Sequence, residues 1–117
     1  MRIVLCYPVE KRHYEQISDV APTAELVDAG QQHIAREILR ADIFCGHAKV
    51  PIDWEGVVRE ARLMWIQSSA AGLDHCLVPP VIRSDIVVTS ASGVLADQVA
   101  EHALTLVLAL TRSLNVF

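Results

Sequence analysis

Residues 1–30 of the chain read MRIVLCYPVEKRHYEQISDVAPTAELVDAG. A short apolar run over residues 2–7 ends at Pro8, and this pattern predicts a first strand. Apolar side chains then recur at helical spacing over residues 9–21, with charged side chains between them, which predicts an amphipathic helix. A second β-rich run over residues 23–30 ends at Gly30. The order strand, helix, strand is typical of a unit with two parallel strands.

The same alternation continues to the end of the chain. It predicts a helix over residues 31–40, a strand over 41–46 that is buried on both sides, and a helix over 53–61 that Asp53 caps. Strands over 63–67 and 84–90 follow, and a long helix over 96–112 is the last element. Five such units predict one α/β domain over residues 1–117, with a flavodoxin-like fold. Its parallel five-stranded sheet has the order 2-1-3-4-5, with helices on both faces and right-handed crossovers.

Composition indicates a folded soluble domain, because 52% of the 117 residues are hydrophobic and 21% are charged. The net charge of −4 argues against nucleic acid or an anionic membrane as a partner. The start of the chain lacks the apolar core of a signal peptide, and the most apolar segment is too short to span a bilayer. The three cysteines lack metal-ligand spacing, so we expect buried free thiols in a reducing cytoplasm and no metal site. They are Cys6, Cys45 and Cys76.

The candidate ligand loops follow the strands, because ligands of such sheets bind at the carboxyl ends of the strands. One of them contains Ala70, Ala71 and Gly72, here called the Ala-Ala-Gly loop. Small residues leave backbone N–H groups open, and a turn entering a short helix would present them to a carboxylate. The alternative is a tight turn that needs small residues for packing, with Asp74 capping the next turn.

A second motif covers residues 89–110, where Gly93 permits a turn ahead of the last helix. This helix is polar at its start and apolar on nearly all sides from Leu104 to Leu110. Such a helix is buried on more than one side or is covered by a partner. We therefore expect the last helix either to fold back onto the sheet or to be exchanged between the two chains of a homodimer.

The two motifs together resemble the substrate-binding half of the D-isomer-specific 2-hydroxyacid dehydrogenases, the family of phosphoglycerate, glyoxylate and D-lactate dehydrogenases. Residues 68–74 resemble the Ser-x-Gly-Ala-Gly-Val-Asp loop of the family, with Ala70 where glycine is usual and Leu73 for valine. Residues 88–102 are similar to its Val-Thr-Asn-x-x-Gly-Val-x-x-x-x-Val-Ala-Glu-His segment, with Ser90 where asparagine is usual.

The resemblance implies roles for both motifs. The N–H groups of Ala70, Ala71 and Gly72 would bind the carboxylate of a small 2-hydroxy or 2-keto acid, because an alanine at position 70 keeps its N–H. Val94 and Val99 would lie near the nicotinamide end of the cofactor. The helix over residues 96–112 would lead into a second domain.

The sequence lacks a recognisable cofactor-binding motif. The cofactor of the intact enzyme would be NAD or NADP, held by a Gly-x-Gly-x-x-Gly turn, but no two glycines here lie within three residues of each other. The catalytic residues of the family also fall outside this chain. We therefore expect a fragment that holds no catalytic residue and no cofactor and is inactive alone. The alternative is a self-standing or engineered flavodoxin-like module without a catalytic task, and the coding sequence after residue 117 would distinguish the two.

Three histidines lie near the ligand edge, namely His47, His75 and His102. None matches the catalytic histidine of the resembled family, so we expect structural roles for them. A response-regulator domain shares the strand order but needs acidic residues after the first and third strands. The sequence has Cys-Tyr-Pro over residues 6–8 and Cys-Gly-His over residues 45–47 instead, which excludes that class.

Overall fold

A computed structural model describes residues 1–116 of the chain, except for the side chain of residue 115. The domain is predicted to end at Phe117, which lies outside the described residues. The elements are β1 (Arg2–Cys6), α1 (Lys11–Val20), β2 (Glu25–Asp28), α2 (Gly30–Glu37), β3 (Ile43–Gly46), α3 (Trp54–Glu60), β4 (Trp65–Ser68), α4 (Pro79–Ile82), β5 (Val87–Thr89) and α5 (Ala96–Thr111). Short 3₁₀ turns cover Ile38–Arg40 and Leu114–Val116.

The five strands form one parallel sheet with the order β2-β1-β3-β4-β5, which confirms the predicted fold class. The chain moves one way from β1 to β2 and the opposite way from β2 through β5. Because parallel crossovers are right-handed, this reversal places α1 on one face and α2, α3 and α4 on the other.

The main core lies on the face that carries α2, α3 and α4. Val4, Phe44 and Ile66 are aligned across three neighbouring strands, and each is fully buried. Ile34 of α2 and Val57 of α3 belong to the same apolar cluster. Because side chains alternate between the two faces of a strand, these apolar residues form one continuous row beneath the three helices.

The opposite face is covered over β1 and open over β4 and β5. Ile3 and Leu5 point to this face and are buried at 5% and 0% exposure, whereas Trp65 and Val87 are 39% and 58% exposed. In β3, Phe44 is buried but Ile43 is only half-buried. The prediction that the third strand is buried on both sides is therefore wrong for this face, because no described helix covers it beyond β1.

Asp53 caps α3 as predicted. Its Oδ1 accepts a hydrogen bond from the N–H of Gly56 at 3.0 Å, which satisfies one of the free donors at the helix start. A Cβ at Gly56 would lie 2.4 Å from Oδ2 of Asp53, so the glycine makes room for the cap. The helix ends at Ala61, whose positive φ of 50° reverses the chain toward β4.

The short helix α4 was not predicted. It begins with Pro79 and Pro80, whose fixed φ suits the first turn of a helix, and it contributes the buried Val81 to the core. Four residues are too few to show a helical period in the sequence.

The last helix, α5, projects away from the sheet. Its N-terminal bound agrees with the predicted start at residue 96, but none of its residues is buried, and Leu104 and Leu110 are 64% and 67% exposed. The Cα radius of gyration is 18.3 Å, whereas a compact chain of this length would have about 13 Å. The single chain therefore does not fold α5 back onto its own sheet, which was one of the two expected arrangements. None of the described helices is both long and apolar enough to cross a membrane.

The close approach of β1 and β3 at Gly46 leads to a prediction about stability. The φ of Gly46 is +137°, and a Cβ there would lie 2.3 Å from the carbonyl oxygen of Cys6, so β1 and β3 approach too closely for a side chain. We expect Gly46→Ala to lower the free energy of unfolding by at least about 2 kcal/mol, measured by urea denaturation. The matched control is Gly30→Ala, where φ is +52° and nothing lies within 4 Å of the added Cβ. Equal losses in the two variants would contradict the steric account.

Candidate functional site

The carboxyl edge of the sheet carries an apolar groove of about 680 Å³ between the loop after β4 and the start of α5. Four of the five residues proposed for ligand contacts line it together: Ala70 and Ala71 on one wall, Val94 and Val99 on the other. Gly72 continues the loop just outside this lining. The fold thus brings together two motifs that lie more than twenty residues apart in the chain.

The three N–H groups of the Ala-Ala-Gly loop are not equivalent. The N–H of Ala70 donates to Oγ of Ser68 at 3.0 Å. Ala71 and Gly72 are exposed, and no acceptor within residues 1–116 takes their N–H groups. Two adjacent donors therefore remain open for a ligand.

The loop does not run into a helix. Residues 74–76 form a turn in which the N–H groups of Cys76 and Leu77 both donate to the carbonyl of Leu73, and α4 begins only at Pro79. The expected help from a helix N-terminus is therefore absent at this loop. No described residue donates a hydrogen bond to the carboxylate of Asp74, so the capping part of the packing alternative is not found, but Oδ1 of Asp74 would lie 3.2 Å from a Cβ at Gly72 and leaves little room for a side chain there.

Ser68 supports the loop from below. Its side chain is fully buried, and its Oγ lies 3.2 Å from the carbonyl oxygen of Ala70 as well as 3.0 Å from the Ala70 nitrogen. The N–H of Ala91, from the loop after β5, donates to the same carbonyl at 3.1 Å. Sequence reasoning treated Ser68 only as a small residue, although a serine two residues before a turn N–H is a known local signal.

A second cavity of about 450 Å³ adjoins the first, and Ser69 lines both. Gln31 shapes it: its Nε2 donates to the carbonyl of His47 at 2.8 Å, and its Oε1 accepts from the N–H of Lys49 at 2.7 Å. The amide side chain of Gln31 thereby ties the loop after β3 to α2. The lining residues are Cys6, Tyr7, Pro8, Gly30, Gln31, His47, Lys49 and Ser69.

Two of the three singled-out histidines meet behind the Ala-Ala-Gly loop. The rings of His47 and His75 stack with centroids 3.9 Å apart and an angle of 24° between their planes. Burial and the neighbouring His47 lower the pKa of His75, against the opposing charge of Asp74. His102 lies apart from them, exposed on α5. The sequence offered no signal for this pair, because its members belong to different loops.

The cysteines are free, as predicted, with Cys6 and Cys76 buried and Cys45 half-buried. Burial raises the pKa of each thiol, so the thiolate form is disfavoured near neutral pH. Cys6 lines the second cavity, but it is a poor nucleophile in this state.

Metal and dinucleotide chemistry find little support in the side chains present. Among residues 1–116, no group of three or more histidine, cysteine, aspartate or glutamate side chains is arranged to hold a metal ion. The groove is lined by alanines, valines, a leucine, a serine and a glycine, with no cation to hold a pyrophosphate. The described lining of the groove therefore has neither a glycine fingerprint nor a cation for the phosphates of a dinucleotide.

Two of three similar solved structures are named as dehydrogenases. No model of a known protein family matches the chain, and a search of curated proteins finds no match. The chain is similar to phosphoglycerate dehydrogenase from Lactobacillus plantarum (18% identity, TM-score 0.64, 96% of this chain and 36% of that one). It is also similar to a protein from Pyrococcus horikoshii OT3 (23% identity, TM-score 0.74, 98% and 34%). A third is NAD-dependent formate dehydrogenase from Staphylococcus aureus, solved in complex with NAD (18% identity, TM-score 0.69, 98% and 40%).

These likenesses show the fold, and they are of the kind that the resemblance in sequence predicts. The chain spans only about a third of the first two structures and 40% of the third. Nearly all of the chain is covered in each case. The chain thus corresponds to part of a larger architecture in each of these proteins.

Proposed function

We propose that this chain is the substrate-binding domain of an NAD- or NADP-dependent D-2-hydroxyacid dehydrogenase. In this proposal the Ala-Ala-Gly loop binds the carboxylate of a small 2-hydroxy or 2-keto acid. The observation that carries it is the pair of open N–H groups at Ala71 and Gly72, beside a groove whose other wall contains Val94 and Val99.

Neutral donors suit a carboxylate at this position. No lysine or arginine lines the groove, and the chain carries a net charge of −4, so attraction by charge is weak here. Hydrogen bonds from N–H groups to a charged acceptor contribute about 1.5–3 kcal/mol each. Two such bonds predict millimolar affinity for the isolated chain, with the N–H of Ala70 holding the loop rather than the ligand.

The groove wall opposite the loop supports the role proposed for Val94 and Val99. Both side chains are strongly exposed, at 71% and 65%, and they present an apolar surface next to the carboxylate donors. A bound nicotinamide would supply the hydride donor or acceptor, and these valines would exclude water from one side of the ring. Because the 117 residues lack a glycine fingerprint, we propose that NAD or NADP is held by residues outside this sequence and that the chain alone does not turn over.

The binding test uses oxamate, an unreactive analogue of a 2-keto acid, and isothermal titration calorimetry. We expect millimolar binding to the chain, and a loss of about tenfold or more in Ala71→Pro, which removes one N–H donor. The matched variant Ala71→Gly keeps that donor and should bind oxamate as the unaltered chain does.

Oxamide, which has no carboxylate, is the control ligand and should not bind. Circular dichroism establishes that both variants are folded. Equal binding of oxamate by the proline and glycine variants would contradict the proposed role of the loop.

We also propose a cytoplasmic location, which the three free thiols support.

We further propose a homodimer in which α5 of one protomer packs on its partner. The apolar side of α5 contains Val107 and Leu110, which are 56% and 67% exposed in the single chain. The sheet face over β4 and β5 is open as well, at Trp65 and Val87. A symmetric exchange of the helix would cover both surfaces, with the same contacts made in each direction.

Light scattering on a sizing column over a range of concentrations tests the dimer. We expect a dimer for the unaltered chain and a monomer for Val107→Glu and for Leu110→Glu, because a charge would be buried in the interface. Thr105→Glu places the same charge on the opposite side of α5 and should remain dimeric. A monomeric unaltered chain at all concentrations would contradict the proposal.

A further inference from the structure

The buried hydroxyl of Ser68 has three polar neighbours. Its Oγ lies 3.0 Å from the nitrogen of Ala70, 3.2 Å from the carbonyl oxygen of Ala70 and 3.3 Å from Nε2 of His75. A hydroxyl offers one proton and two lone pairs. All three contacts are satisfied together when the N–H of Ala70 and an Nε2–H of His75 donate to Oγ, while the hydroxyl proton goes to the carbonyl of Ala70.

The other ring nitrogen of His75 distinguishes the neutral from the charged imidazole. Nδ1 is buried and has no hydrogen-bond partner. A proton there would be a buried donor without an acceptor, which costs about 1–3 kcal/mol. The environment of this ring therefore favours a neutral imidazole with its proton on Nε2.

His47 strengthens this preference from the neighbouring loop. Its ring stacks on His75 at 3.9 Å between centroids, so two charged imidazoles would repel each other at contact distance. The neutral stack, in contrast, joins the loop after β3 to the loop after β4.

The other charged or titratable groups around the pair are few. Asp74 adjoins His75 and favours its charged form, against burial and His47. On the side of His47, the residues Lys49, Cys6 and Tyr7 line the second cavity together with His47. Burial raises the pKa of the Cys6 thiol and of the Tyr7 hydroxyl, so both stay neutral below about pH 8.

We propose that His75 is a positioning residue for the Ala-Ala-Gly loop. Its neutral imidazole, stacked on His47, fixes Ser68 and through it Ala70, and acidification releases the loop. The link to ligand affinity rests on the proposed function, but the effect on the shape of the loop does not.

The loop is called closed when Ser68 contacts both Ala70 and His75, and open when these contacts are broken. The direction of the pH effect follows from the lowered pKa of His75 in the closed loop. An open loop exposes the imidazole, which then protonates in its ordinary range near pH 6.5. The closed loop has its full stability above that pH and loses it as the pH falls below it, because the open form binds the proton more readily. Between pH 7.5 and 5.5 the ratio of closed to open loops should fall by up to about tenfold.

Amide hydrogen exchange of Ala70, followed by NMR, measures this ratio in the ligand-free 117-residue chain. The rate is expressed as protection relative to an unstructured peptide at the same pH. We expect protection to fall by up to about tenfold between pH 7.5 and 5.5 in the unaltered chain. His75→Gln, whose amide N–H can reach Ser68 without titrating, should keep protection constant. His102→Gln, the same substitution on the exposed part of α5, should behave as the unaltered chain does.

Two results would overturn the proposal. One is unchanged protection of Ala70 in the unaltered chain over this pH range, and the other is an equal fall in His75→Gln. If that variant does not fold, the imidazole ¹⁵N shifts of the unaltered chain test the same point, because a proton on Nδ1 of neutral His75 would contradict it. Oxamate affinity separates the two proposals: absent binding at every pH with the expected loss of protection contradicts only the proposed function.

Discussion

Parallel pairing of the five strands is the constraint on which the rest of the molecule depends. Each crossover must return the chain to the amino edge of the sheet, so the loops after β1, β3, β4 and β5 all open at the carboxyl edge. The close approach of β1 and β3 at Gly46 keeps two of these loops adjacent. The groove, the second cavity and the stacked histidines exist because residues distant in the chain are delivered to this one edge.

The candidate site is a backbone site, and this explains how its side chains are used. The small residues of the loop leave the N–H groups of Ala71 and Gly72 accessible, but they cannot hold the loop in shape by packing. Ser68 fixes the loop from below and His75 fixes it from behind, and neither residue lines the groove. Binding surface and support are thus separate sets of residues within ten positions of the chain.

Much of the fold was predictable because its signals are local. The apolar runs of the strands, the period of α1 and the cap at Asp53 each involve residues within one element, and each was found where predicted. The His47–His75 stack was not predictable, because it joins two loops that only the sheet brings together. The use of the Ala70 N–H by Ser68 has a local signal in the spacing of the two residues, but the side-chain rotamer decides whether the hydrogen bond forms.

The position of α5 was not predictable from the sequence for a different reason. Its sequence shows that apolar surface must be covered, but a pattern in one chain does not say which surface covers it. The helix leaves the sheet just after the groove, so its first two turns form a wall of the groove while its second half remains exposed. The groove and the uncovered surface therefore share one element, so whatever covers the helix lies next to the candidate site.

The central claim is that the Ala-Ala-Gly loop presents two open N–H groups to a carboxylate. The most direct measurement is a ¹H–¹⁵N NMR titration of the chain with oxamate. We expect the amide protons of Ala71 and Gly72 to move most, in the direction of stronger hydrogen bonding, while the amide proton of Ala70 moves little because Ser68 already accepts its hydrogen bond. Largest shifts elsewhere, with Ala71 and Gly72 unmoved at saturation, would contradict it.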